Sequence, residues 1–241
     1  MERGERGVKG RSPLKYQAVI FDLFGTLVDN FSVQEHESVL TEMASVLDVP
    51  PDKFIRLWYD TFSQRATGAL SSPEANIDYI CQKLGMHVAD ANVEFAAQIR
   101  FNYTVRAVTP RAGSVEILSR LKSKGLKTGL ISDCSREIPK MWGDTPFAPL
   151  VDVAIFSCVA GMRKPDPRIY QIATERLGVR PQSCLYIGDG SSRELTGALN
   201  VGMHPVLLRT EDSDAHQIDR EDWKGPTISS LKEILVLLGE G

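Results

Sequence analysis

The chain has 241 residues, 42% of them hydrophobic and 24% charged, with 28 basic against 31 acidic side chains and a formal net charge of -3. A chain of this length and composition buries a sizeable core, as one large domain or as a core carrying a smaller insert. The charge balance gives no electrostatic ground for nucleic acid or an anionic membrane as partner, and no apolar run approaches the roughly 20 residues of a membrane span. A small anionic substrate remains open, because it needs only local positive charge.

Residues 1–16 are polar and basic, with Gly4, Gly7, Gly10 and Pro13. They lack an apolar h-region, so they read as a flexible tail and not as a secretory signal. Gln17–Asp22 (QAVIFD) is a short apolar run that stops at Asp22 and meets Gly25 and Thr26, the pattern of a buried strand and a turn. From about Glu35 to Val108 the pattern is helical. Pro50 and Pro51 break it, with Pro51 placed to open the next helix, and Ser71-Ser72-Pro73 breaks it again. Gly85 lies beyond the end of the following helix, and Asp90 is placed to cap a last one running through Arg106.

After Pro110 strands and helices alternate. Helix 113–124 ends at Gly125, and KTGLIS (127–132) and VAIFS (153–157) are strands. Helix 165–177 stops at Gly178. Strand CLYIG (184–188), helix 191–200, strand HPVLL (204–208) and helix 230–238 follow. This order predicts an α/β fold, a doubly wound parallel sheet with helices on both faces. Residues 17–28 and 109–241 form that core, and 29–108 form an all-helical insertion after the first strand.

The cysteines (Cys81, Cys134, Cys158, Cys184) and histidines (His36, His87, His204, His216) show no CxxC or other ligand spacing. That argues against zinc or a disulfide framework and for reduced thiols in a cytoplasmic protein.

In an open parallel sheet, sites lie beyond the carboxyl ends of the strands. The residues there are Asp22, Ser132, Asp189 and, past a strand and loop, Lys164. Taken singly, a strand-end Asp is more often a turn residue and a Lys more often a surface charge. Two acids converging beside one Lys suit a hard cation and a phosphate-like anion.

Four segments, in order, resemble the motifs of the haloacid dehalogenase superfamily. They are Phe21-Asp22-Leu23-Phe24-Gly25-Thr26-Leu27-Val28-Asp29, Ile131-Ser132, Gly161-Met162-Arg163-Lys164-Pro165-Asp166-Pro167, and Tyr186-Ile187-Gly188-Asp189 followed by Glu194 and Gly197-Ala198. The likeness covers about residues 17–238. It implies that Asp22 is a covalent nucleophile, that Ser132 and Lys164 hold the transferring group, and that the helical insertion is a cap. It also implies Mg²⁺ held by Asp22, the backbone carbonyl of Phe24 and Asp189, with Glu194 orienting a metal-bound water or Lys164. Gly25, Thr26, Asp133 and Arg163 are expected to support or contact substrate, Thr26 by fixing its loop through the hydroxyl.

Phe24 departs from the phosphatase members, which carry there an Asp that protonates the leaving group. Loss of such a group typically costs roughly 10²–10⁴ in rate. Three readings follow. The substrate has a good leaving group, such as an acyl phosphate; or Asp133 or an insertion residue replaces the acid; or the reaction is that of the 2-haloacid dehalogenases. Those members carry an aromatic residue at this position and need no metal, but they also lack the acid at Asp189, and a second carboxylate beside Asp22 is costly without a cation. A weakly active or inactive binding member is the non-enzymatic alternative. In the insertion, Trp58, Tyr59 and Phe62 read as its core, and Arg65 as a surface charge. The expected partner is a small anionic molecule. Oligomeric state is not legible.

Overall fold

The computed structural model describes residues 15–210 and 221–239. The tail expected over 1–16 lies outside them except at its end, where Tyr16 corrects the boundary: it is buried in an apolar cluster against the sheet.

The chain opens with β1 (Ala18–Phe21) and then five helices: α1 (Val33–Val46), α2 (Pro51–Asp60), α3 (Phe62–Ala66), α4 (Pro73–Lys83) and α5 (Asp90–Ala107). The remainder alternates: α6 (Ser114–Ser123), β2 (Lys127–Ser132), α7 (Glu137–Met141), β3 (Val153–Phe156), α8 (Ser157–Ala160), α9 (Pro167–Leu177), β4 (Cys184–Gly188), α10 (Glu194–Asn200), β5 (His204–Leu208), β6 (Thr227–Ile228) and α11 (Ile234–Leu237). The six strands lie in the order β3-β2-β1-β4-β5-β6, and every pairing is parallel. The chain winds outward from β1 to one edge, then returns through β4 to the other. The order reverses beside β1, where open α/β sheets bind ligands.

β1 shows why the sheet sits in the middle. All four of its residues are buried. Successive side chains point to opposite faces, so Val19 and Phe21 join the cluster that contains Ile117, Leu121 and Ile234, while Ala18 and Ile20 join the cluster that contains Ile169, Leu177 and Leu195. Helices thus cover both faces.

The helices between Val33 and Ala107 have an apolar cluster of their own, running from Val39 to Tyr103 and including Phe54, Trp58 and Ile80. The two strands of chain that connect them to the sheet are tied together. Val28 bridges Pro110 in antiparallel fashion, and Arg111 Nη2 lies 2.9 Å from Asp29 Oδ1.

Local corrections have simple causes. Asp90 is the first residue of α5 and its side chain makes no cap bond; Ala89 holds the cap position. The insertion breaks again at Thr61, whose hydroxyl donates back to Leu57 O at 2.7 Å, a bond that competes with the helix. α7 and the two-residue β6 are too short for periodicity to reveal. No described helix is long and apolar enough to cross a membrane.

Candidate active site

Parallel register brings the strand ends to one edge of the sheet. Asp22 follows β1, Ser132 ends β2 and Asp189 follows β4, so acids from adjacent strands converge. The backbone N–H of Asp22 donates to Ile187 O at 2.9 Å, carrying the β1–β4 pairing up to the carboxylate.

Two glycines clear room for carboxylates. Gly25 has φ +78°, which only glycine adopts without cost, and a Cβ there would collide with Asp189 Oδ2. A Cβ on Gly188 would collide with Glu194 Oε1. Both positions therefore keep acids close to Asp22. Carboxyl oxygens of Asp22, Asp189 and Glu194 lie within 4.8 Å of one another, and all three residues are buried.

Lys164 joins them. Its Nζ lies 2.5 Å from Asp22 Oδ1 and 2.5 Å from Glu194 Oε2, with 2% of the side chain exposed. Glu194 is fully engaged: Oε2 also accepts from the Tyr186 hydroxyl at 2.8 Å, and Oε1 accepts from Gly190 N at 3.0 Å. Of the two groups that Glu194 was expected to orient, it contacts Lys164. Asp189 accepts from Ser191 N at 3.0 Å and from Asn30 Nδ2 at 3.3 Å.

Burial pushes the Asp22 carboxyl up to about 6, a rise that Lys164 opposes and Asp189 reinforces. Burial also raises Glu194 well above the usual carboxylate range. For Lys164 burial disfavours the charge, but Asp22 and Glu194 outweigh it and hold the ammonium well above its ordinary value. One ammonium faces three acids, so the cluster has a deficit of positive charge.

Asp133 ties the second and third motifs together. Its Oδ1 accepts from Lys164 N at 3.0 Å, and its Oδ2 lies 3.7 Å from Arg163 Nε. Both of its oxygens thus face an N–H or a cation. Arg163 also lies over the Phe62 ring at 5.5 Å. Ser132 is buried; its Oγ has no hydrogen-bond partner among the described residues, and the Cys134 thiol is a neighbour. Thr26 corrects an expectation: its hydroxyl is buried and makes no hydrogen bond among the described residues, so it does not fix the loop.

A cavity of about 300 Å³ opens above Asp22, Lys164 and Asp133. Phe24 and Phe31 wall it, packed at 4.8 Å between ring centroids. The inserted helices supply His36, Trp58, Tyr59, Phe62, Arg65 and Arg100. Trp58 is core, as expected, yet it and its aromatic neighbours also line the cavity. Arg65 is no surface charge: it is 6% exposed, with Nη1 donating to Trp58 O at 2.5 Å and to Thr61 Oγ1 at 2.7 Å.

The family model for haloacid dehalogenase-like hydrolases matches residues 16–202. The chain belongs to that family. Among curated relatives, the Rhythmically expressed gene 2 protein of Drosophila melanogaster is 34% identical, over 46% of this chain and 45% of that protein. An (S)-2-haloacid dehalogenase of Pseudomonas putida is 24% identical over 84% of this chain and 88% of its own length. A glyceraldehyde 3-phosphate phosphatase of Pyrococcus furiosus is 24% identical over 93% of both. Solved structures share the fold. A dehalogenase superposes with a TM-score of 0.61 at 20% identity, over 94% of this chain and 98% of that one. A family enzyme from Bacteroides thetaiotaomicron, crystallised with magnesium and inorganic phosphate, gives 0.62 at 19% identity, over 87% and 98%.

Some residues of this haloacid dehalogenase-like site escaped the sequence reading. Tyr186 donates to Glu194, eight residues on, and Asn30 to Asp189, 159 residues away. Arg100 left a signal: the buried face of α5 runs Val93, Ala96, Ala97, Arg100, Tyr103, Thr104, and an arginine inside an apolar stripe needs a reason.

Proposed function

We propose that this chain is a Mg²⁺-dependent hydrolase of small phosphorylated metabolites that works through an aspartyl-phosphate on Asp22 and favours good leaving groups. The observation that carries the reading is the three-acid cluster around a single ammonium. Hard oxygen donors so placed fit Mg²⁺, and a buried acid pair without a cation is costly. Since Glu194 is engaged by Lys164, Tyr186 and Gly190, Asp22, Asp189 and the Phe24 carbonyl are the groups that would hold the ion. Bound there, Mg²⁺ would offset negative charge on the phosphoryl oxygens. The Pyrococcus furiosus phosphatase and the magnesium and phosphate bound by the Bacteroides enzyme favour the same reading.

An Asp22 oxygen attacks phosphorus and the bond to the leaving oxygen breaks, the electron pair leaving with it. Lys164, held by Glu194, offsets the charge that develops on the phosphoryl group, and Ser132 supplies a donor to it. Water then attacks phosphorus, the Asp22–phosphorus bond breaks, and the carboxylate returns. For an acyl phosphate the products are a carboxylate and dihydrogen phosphate, which retains both water protons. No proton donor to the leaving group is needed, which matches Phe24. We read the helices between Val33 and Ala107 as a cap that keeps bulk water out.

Phe24, facing the cavity against Phe31, favours a second reading, metal-independent displacement of halide from a 2-haloacid by Asp22. A single turnover on radiolabelled acyl phosphate, quenched in acid, tests the first. Label should remain on the wild-type protein and be absent from Asp22→Asn; an unlabelled wild type that releases phosphate would overturn the covalent route.

A further inference from the structure

The part of the cavity lined by the inserted helices carries charge that the phosphoryl chemistry does not use. Arg100 is 6% exposed and lines the cavity, and its Nε and Nη1 have no hydrogen-bond partner among the described residues. Glu137 Oε1 lies 3.8 Å from Nε, an ion pair beyond hydrogen-bonding distance. The guanidinium is held in place by rings: Phe31 and Tyr103 at 5.3 Å and Trp58 at 5.4 Å. Arg65 stands nearby over Trp58 at 4.4 Å, with Nη1 already donating to the backbone. Two guanidiniums thus share one close carboxylate, Glu137. The acids that line the cavity, Asp22 and Asp133, are paired with Lys164 and Arg163.

Buried donors with no acceptor are unfavourable, and charged ones more so. They persist here beside a cavity of about 300 Å³ with aromatic walls, at the small end of ligand pockets. A ligand acceptor would satisfy them. Net charge in this part is one positive unit, which matches a monoanion better than a second phosphate dianion.

We infer that Arg100 is a specificity residue that binds a carboxylate on the non-reacting end of the substrate, so that the substrate class is a small phosphorylated carboxylic acid with an apolar or planar middle. The phosphorylated end rests on the function proposed above; the carboxylate end rests on Arg100. Aromatic walls would flank the linker while Asp22 and Lys164 engage the phosphoryl group.

The test compares 4-carboxybenzoyl phosphate with 4-carbamoylbenzoyl phosphate, near-isosteres that differ in the distal charge. Wild type should prefer the carboxylate by roughly 10- to 100-fold in kcat/KM, the span of one charge-assisted hydrogen bond. Arg100→Gln should bring the ratio near unity, and Arg100→Lys should keep part of it, with thermal melts checking that both variants fold. Equal handling of the two by wild type, or an unchanged ratio in Arg100→Gln, overturns the inference. If neither acyl phosphate turns over, the phosphohydrolase reading fails, and binding decides the carboxylate site. Quenching of tryptophan fluorescence, with Trp58 on the wall, should then report 4-methylbenzoate but not 4-methylbenzamide on wild type, and neither on Arg100→Gln. Equal or absent quenching by both on wild type overturns it.

Discussion

Glu194 meets Lys164 at 2.5 Å from the first turn of α10, and the Tyr186 hydroxyl, one strand earlier, donates to the same carboxylate oxygen at 2.8 Å. On the proposed function, the acid is expected to act through the lysine. Glu194→Gln keeps the shape but removes the charge that holds Lys164 toward Asp22. We expect kcat to fall by roughly 10- to 100-fold, the range seen when a group supporting a site is altered, and Tyr186→Phe to cost less. Steady-state kinetics with a far-ultraviolet check of folding measures this. A Glu194→Gln enzyme with wild-type kcat would contradict the positioning role.

Phe24 cannot transfer a proton, so the rate should depend steeply on leaving-group pKa. Phe24→Asp should speed poor leaving groups by roughly 10²-fold, the low end of general acid catalysis, and leave acyl phosphates nearly unaffected. A series of substituted aryl phosphates measures the slope. A flat dependence in the wild type would mean that another group supplies the proton.

Gly25 combines φ +78° with contact to Asp189. Gly25→Ala should displace the Asp189 carboxylate and raise the Mg²⁺ concentration for half-maximal activity by about 10- to 100-fold. It should also cost about 1–3 kcal/mol of stability. Magnesium titration and thermal unfolding report the two effects separately; an unchanged magnesium requirement would remove Asp189 from the metal site.

His36 lies against Tyr103, rings 6.0 Å apart and nearly parallel. Burial, then Arg100 and Arg65, push its imidazole down from 6.5 to about 3. The folded protein thus binds this proton more weakly than the unfolded chain. Stability from this residue is complete above pH 6.5 and declines as pH falls from there toward 3. Against His36→Gln, the wild type should lose about 1–2 kcal/mol more between pH 7 and pH 5. Denaturant unfolding at the two pH values checks it, and parallel pH profiles would show that His36 is not buried neutral.

Much of the fold was legible because its signals are local. Apolar runs that stop at Asp22, Ser132 and just before Asp189 mark buried parallel strands, and the observed limits of β2, β4 and β5 match the expected ones. Lys164 was legible from its place past a strand and loop, and Glu194 through the order of motifs. What stayed hidden depends on partners distant in sequence. Arg65 looks like a surface charge until the fold buries it against Trp58 and Thr61, and Asn30 finds its partner only when Asp189, 159 residues away, arrives beside it. Thr26 and Asp90 failed for the opposite reason. Each has the side chain for a local bond, and in each the fold places that side chain elsewhere.

On the proposed function, the acids around Lys164 serve a metal-dependent phosphoryl transfer. Benzoyl phosphate and 2-chloropropionate should be offered side by side, each with Mg²⁺ and with chelator. Phosphate release that chelator stops, with no halide release, is the predicted result. Halide release indifferent to chelator would contradict it and make Phe24, not Asp189, the guide to the chemistry.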